Sequence, residues 1–213
     1  MKRLFLLLVA VLMIVPMAEA KRRETPEEIE RKTRNYSGWE WGAQARFNLV
    51  FFDMNYMKVY NETPVKEYFA GLKTADDKAM LGGNFMLNGG YFLNNHWKIG
   101  LELGAQIQYS HTFIPVSVTG HYLDGTSKNC LFNFVTLGTN MLIESGAVRF
   151  GANGTGGLGV RLQSPDSKLK YDIVLGYQAV MLNPAPHSGS FQYKPGDVKF
   201  HTVNQSVFIG LGV

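Results

Sequence analysis

From Trp97 to Ser110 the chain alternates without exception: Trp97, Ile99, Leu101, Leu103, Ala105, Ile107 and Tyr109 are apolar, and the residues between them are polar or glycine. With 46% hydrophobic residues in the chain, chance would satisfy those positions at a given start with a probability on the order of 10^-4, so the period of two reports a two-sided strand. The same alternation places Trp39, Trp41, Ala43, Ala45, Phe47, Leu49 and Phe51 opposite Glu40, Gly42, Gln44, Arg46 and Asn48 in a first strand. A second, about Ala79 to Asn94, sets Leu81, Phe85, Leu87, Tyr91 and Leu93 against Gly82, Asn84, Met86, Asn88 and Gly90. Asn94-Asn95 then turns tightly into the strand that begins at Trp97.

Five further strands follow: about Ile114 to Leu123, Cys130 to Asn140, Val148 to Leu162, Leu169 to Met181, and the stretch containing Val203 to Val213. The connections after the second, fourth and sixth strands are short. Those after the first and seventh, 53–78 and 182–198, are long. Eight strands with short turns at one end and longer loops at the other predict an all-β, eight-stranded antiparallel up-and-down barrel. As a transmembrane barrel it would keep its short turns and both termini in the periplasm.

The polar face decides which way the apolar face looks. It is poor in charge and rich in small residues such as Gly82, Gly90, Gly100, Gly104, Gly176, Gly210 and Gly212, as a narrow interior requires. A water-exposed face would carry more Lys and Glu. Aromatics mark two rims: Trp39, Trp41, Tyr91, Trp97 and Tyr122 at the turn end, and Phe51, Tyr109 and Phe113 at the loop end. Such girdles sit at membrane interfaces. A soluble periplasmic lipocalin-like barrel, with its bulk inside around a ligand, is the competing arrangement.

The N-terminus reads as an export signal. Lys2 and Arg3 precede an apolar run from Leu4 to Val15, and Ala18-Glu19-Ala20 supplies a cleavage pattern, so cleavage is expected after Ala20. The run is too short to span a bilayer, which takes about 20 apolar residues. Residues 21–36 form a charged periplasmic segment in which Thr25, Pro26 and Glu28 announce a short helix through Lys32, and 37–213 form the barrel. Losing Lys2, Arg3 and Glu19 takes the net charge from +4 to about +3, too little and too dispersed for nucleic acid. Cys130 is the only cysteine, which leaves no intramolecular disulfide.

The order FLNNHWKIGLELGAQIQYSHTFIPVSVTGHYL, with its glycine-alternating strand leading to Ile114, Pro115 and Val116, resembles the small outer-membrane β-barrel proteins of Bacteroidota. The likeness is best from Tyr91 to Met181, and it is looser over Asn129 to Phe134. The last residue is Val213, where proteobacterial barrels commonly carry an aromatic. The resemblance implies a shape and a location, and it brings no catalytic residues or cofactor. The partners expected of a membrane barrel are outer-membrane lipids, lipopolysaccharide and, during insertion, the barrel-assembly machinery.

Candidate chemistry is sparse. Gly154 to Gly159 matches G-x-G-x-x-G but lies inside a strand, without the helix a dinucleotide site needs. His96, His111, His121, His187 and His201 lack metal-ligand spacing. Ser110-His111 and His187-Ser188, both in outer loops, are the residues a lipid-modifying enzyme would use. The lumen-facing charges Arg46, Glu102, Lys98, Glu40, Lys170 and Asp172 predict a buried network, with Arg46 and Glu102 as its first pair, in a packed, non-conducting barrel. Loops 53–78 and 182–198 are where an unidentified surface ligand would bind. The expectation is a structural or surface-binding barrel rather than an enzyme.

Overall fold

The computed structural model describes residues 26–59, 66–74, 80–108, 111–144, 147–164, 167–183 and 198–213. The segment read as a signal peptide and most of the 182–198 loop lie outside them. Two units are distinguished, residues 1–33 and 34–213. In the first, helix α1 spans Pro26–Lys32 with Glu27 and Glu28 in its first turn, where carboxylates complement the helix dipole. The Thr33 hydroxyl donates to the Ile29 carbonyl at 2.7 Å.

The second unit contains nine strands among the described residues: β1 (Gly38–Val59), β2 (Lys66–Thr74), β3 (Met80–Phe92), β4 (Trp97–Gln108), β5 (His111–Leu123), β6 (Cys130–Glu144), β7 (Ala147–Gln163), β8 (Lys170–Leu182) and β9 (Val198–Gly212). Every ladder is antiparallel, and β9 returns to pair with β1 from Gln44↔Gly212 to Val59↔Val198, which closes the sheet. Closure removes the free strand edges of the wall. β2 pairs with the same edge of β1 as β3 but further along, from Phe52↔Thr74 to Val59↔Lys66. Around the circumference the barrel therefore has eight strands.

Residues 53–78, expected as a loop, contain two strand segments instead. The register between β1 and β9 shifts between Val50 and Phe52. That irregularity breaks the period of two, so the alternation in the sequence stops while the hydrogen-bonded ladder continues. At the same end, β4 to β5 and β6 to β7 are joined through 109–110 and 145–146 alone, and chain length is concentrated in the other two connections.

The alternation of the third predicted strand is realised in β4. Its burial runs from exposed Trp97 and buried Lys98 to exposed Ile107 and buried Gln108, with Leu101 63% and Glu102 2% exposed. The same inversion holds around the wall: Phe47, Phe85, Val118, Leu137, Leu158, Leu175 and Ile209 are exposed, whereas Arg46, Asn84, Thr119, Thr136, Asn153, Gln178 and Asn204 are buried. This barrel is apolar outside and polar inside, the reverse of a lipocalin.

Short turns are held by side chains at one end. Asn94 Oδ1 accepts from the backbone N–H groups of His96 and Trp97 at 2.8 and 2.9 Å, which explains the Asn-Asn turn. Gly125 adopts φ +62°, where a glycine avoids the steric cost, and the Asp124 carboxylate accepts its N–H at 2.9 Å.

Candidate functional site

The interior is stacked in three layers. At the loop end, Phe113, Leu142, Val180 and Leu182 form an apolar cluster. Phe113, expected on the outer rim, points inward and is 1% exposed. The expectation equated apolar with outward, but the top of this lumen is sealed by apolar side chains that would otherwise leave a void. Tyr109 lies outside the described residues.

Below that cluster the lumen is crossed by amides and hydroxyls. Gln106 and Gln178, on opposite sides of the barrel, exchange hydrogen bonds at 2.9 and 3.1 Å. Gln106 also donates to Gln108 at 2.9 Å, and Asn48 to Gln178 at 3.3 Å. On the facing wall Asn153 receives from the Ser117 hydroxyl at 3.0 Å and donates to Asn140 at 2.7 Å. The space bounded by Arg46, Gln106, Ser117, Thr155 and Gln178 has no room for a water molecule. Neutral amides bonded to one another close a narrow barrel without burying net charge, although Asn48 Oδ1 and Gln108 Nε2 are buried without a hydrogen-bond partner among the described residues.

The charged layer lies toward the turn end and forms two groups. Arg46 Nη2 lies 3.1 and 3.0 Å from the two Glu102 carboxylate oxygens, Arg46 Nε donates to Gln44 at 2.5 Å, and the guanidinium stands 5.2 Å from the Phe208 ring centre. The second group converges on Glu40. Its carboxylate accepts from Lys98 at 2.9 Å, from Arg161 at 3.1 and 3.2 Å, and from Lys170. Arg161 also holds Asp172 through two bonds, at 2.7 and 2.8 Å.

The six lumen charges read from the sequence thus meet in these two groups. Arg161, which bridges Glu40 and Asp172, was not among them. It sits on β7, where inward Gly157 and Gly159 mute the alternation, although counting by twos from outward Leu158 would have placed it inside. The G-x-G-x-x-G match is likewise part of this wall. A Cβ at Gly159 would come 2.2 Å from the Phe132 ring, and one at Gly176 2.6 Å from the Phe208 ring, so glycine here makes room for inward aromatics.

Two residues of the expected N-terminal segment belong to the barrel. Arg34 is fully buried, and its guanidinium donates to the carbonyls of Gly125, Leu123 and Ser127 at 2.5, 3.4 and 3.4 Å. Tyr36 packs against Phe92, with its hydroxyl 2.5 Å from Gln163 Oε1 and its ring centre 4.2 Å from Lys170 Nζ. Burial, with a smaller push from Glu40 against the pull of Arg161, raises its phenol from 10.0 to about 12. Tyr36 is the one aromatic in that charged segment, and this was its only signal.

On the outside, Trp39 and Trp41 stack at 6.0 Å, Trp39 meets Tyr91 edge-on at 5.6 Å, and Trp97 packs on Tyr122 at 5.0 Å. At the opposite end Phe51 lies 6.3 Å from Tyr177. Of the histidines, His121 sits inside between Phe132 and Phe134, at 5.6 and 6.0 Å, and His96 caps the β5–β6 turn through the Leu123 carbonyl at 2.9 Å. Ser110, His187 and Ser188 lie outside the described residues. No group of three or more metal-ligating side chains occurs among the described residues.

No protein-family model matches this chain, and no curated protein does. Among solved structures, the chain is similar to OprG, an outer membrane protein of Pseudomonas aeruginosa, at 11% identity and a TM-score of 0.45, covering 85% of this chain and 97% of that one. Neisserial surface protein A is similar at 12% identity and a TM-score of 0.36, covering 82% and 98%. The outer membrane protease OmpT of Escherichia coli is similar at 9% identity and 0.37, covering 80% and 96%. The barrel itself is established by the chain's own closed ladder.

Proposed function

We propose that this chain is an exported outer-membrane barrel with its wall in lipid, its lumen closed to conduction and a structural or surface-binding role. The observation that carries the reading is the inverted wall: apolar side chains exposed around the outside, with arginine, glutamate, lysine and amides within. A wall of that composition in water would be an exposed apolar patch far larger than a soluble monomer tolerates. In a bilayer it is the required surface, because closure satisfies the backbone and the outward side chains match the hydrocarbon.

Orientation follows from the ends. The turn end carries Trp39, Trp41, Tyr91, Trp97 and Tyr122 and faces the periplasm, and the opposite end, with the β1–β2 extension, faces outward. Outer-membrane lipids, lipopolysaccharide and the assembly machinery are then its partners, and the outward segments are where a surface ligand would bind. The likeness over Tyr91 to Met181 to small Bacteroidota barrels is part of the same proposal. Fractionation of the producing cell, followed by denaturing gels of heated and unheated samples, tests it. Recovery with outer membranes and a heat-dependent mobility shift is the expected result; recovery in the soluble periplasm without a shift overturns it. Mass spectrometry of the recovered chain is expected to show Lys21 as its first residue.

A further inference from the structure

The charged layer lines a cavity of about 610 Å³ that its side chains do not fill. That is within the range of small-molecule sites, roughly 300 to 1,000 Å³. The amide layer closes it toward the loop end, and at the turn end its lining reaches exposed Lys168, Leu169 and Val213.

Its charges do not balance. Arg46 and Glu102 neutralise each other, and the remaining lining charges are Lys98, Arg161, Lys168 and Lys170 against Glu40 and Asp172. Lys168 is exposed to solvent, so among the inward-facing groups Lys98, Arg161 and Lys170 exceed Glu40 and Asp172 by one positive charge. An ammonium has three donors, and buried Lys98 gives a single side-chain hydrogen bond among the described residues, to Glu40. The other side of the same cavity is apolar and partly aromatic, with Phe132, Phe134 and Val174. One surplus cation facing planar rings favours one ligand chemistry: a monoanion with a flat apolar body.

We propose that this cavity is a blind binding site for a small aromatic carboxylate. The carboxylate accepts from Lys98 and Lys170, which relieves the surplus charge, and the ring lies against Phe132 and Phe134. Because the site is closed at mid-lumen, it holds its ligand rather than passing it through the barrel. This goes beyond the membrane reading and does not rest on it, since the cavity belongs to the barrel in any solvent.

The test uses the full chain without residues 1–20, folded in detergent micelles, with folding verified by heat-dependent gel mobility. Fluorine NMR follows 4-fluorobenzoate, with neutral 4-fluorobenzamide as its counterpart. Saturable binding of the benzoate, none of the amide, and an affinity about tenfold lower in Lys98→Met are expected. Lys168→Glu, an exposed change outside the ion-pair network, is expected to weaken binding severalfold and decides the matter if Lys98→Met does not fold. Non-saturable uptake of the benzoate, equal binding of the amide, or unchanged affinity in the folded variants overturns the proposal.

Discussion

Arg46 and Glu102 meet across an intervening strand. They project from β1 and β4, with β3 between them, and Arg46 Nη2 lies 3.0 Å from Glu102 Oε2 with both side chains 3% exposed. Such a pair does little for stability compared with an apolar pair, but breaking it leaves a buried charge without a partner.

Glu102→Gln is therefore expected to destabilise the folded barrel by about 3 kcal/mol. Urea unfolding in vesicles reads the change. The double variant Arg46→Met, Glu102→Leu is expected to recover most of the loss. An unchanged midpoint in Glu102→Gln would mean that the pair is not part of the barrel's support.

Glu40 holds three cations and Glu102 one. Glu40→Gln is expected to cost more than Glu102→Gln, by about 1 kcal/mol or more, because Lys98, Arg161 and Lys170 are left to repel one another. Replacing Lys170 by Met in the Glu40→Gln background should then stabilise the barrel. A double-mutant cycle over the two positions measures this sign reversal.

Tyr36 gives the barrel an alkaline limit. Its phenol is raised from 10.0 to about 12 in the folded protein, so the folded state keeps a proton that the unfolded chain has lost. The stabilisation is whole below pH 10.0 and is lost as pH rises through about 12. The stability advantage of the wild type over Tyr36→Phe should narrow by about 1 kcal/mol across that window, less than the full proton linkage because the ring is partly solvated. Unfolding curves of the two proteins at several alkaline pH values check it; a constant difference contradicts it.

The crossed Gln106 and Gln178 close the lumen at mid-height. Planar bilayers containing the folded protein should show no stepwise current. Discrete, reproducible conductance steps would show that the amide layer opens.

How much of this could be read from the chain varies with the strand. In β4 and the first half of β1, large apolar residues alternate with polar ones, and both their faces and the Arg46–Glu102 pair followed from counting by twos. β7 was harder, because glycine on the inward face carries no signal, and Arg161 was lost there. Phe113, Phe132, Phe134 and Phe208 were opaque for another reason. Whether an apolar side chain points into a polar lumen depends on the space left by glycines on neighbouring strands, such as Gly159 and Gly176, and that is a tertiary property. The register shift near Val50 hid the continuation of β1 in the same way, since one irregular residue ends the visible period and leaves the ladder intact.

Leu103, at the middle of β4 on the outer wall, separates a lipid-facing surface from a water-facing one. Leu103→Lys is expected to cost about 2–4 kcal/mol in vesicles, as a charge near the bilayer midplane does. On a wall facing water the same change would be neutral.

The most direct measurement of the central claim is fluorescence quenching by lipids with brominated acyl chains. All three tryptophans, Trp39, Trp41 and Trp97, lie on the outer wall and are 69%, 77% and 50% exposed. In vesicles of such lipids the folded protein is predicted to lose most of its tryptophan emission, with the strongest quenching from bromines placed near the interface. Emission equal to that in unbrominated vesicles, from a folded protein that stays soluble in buffer, would contradict the claim that this wall lies in a membrane.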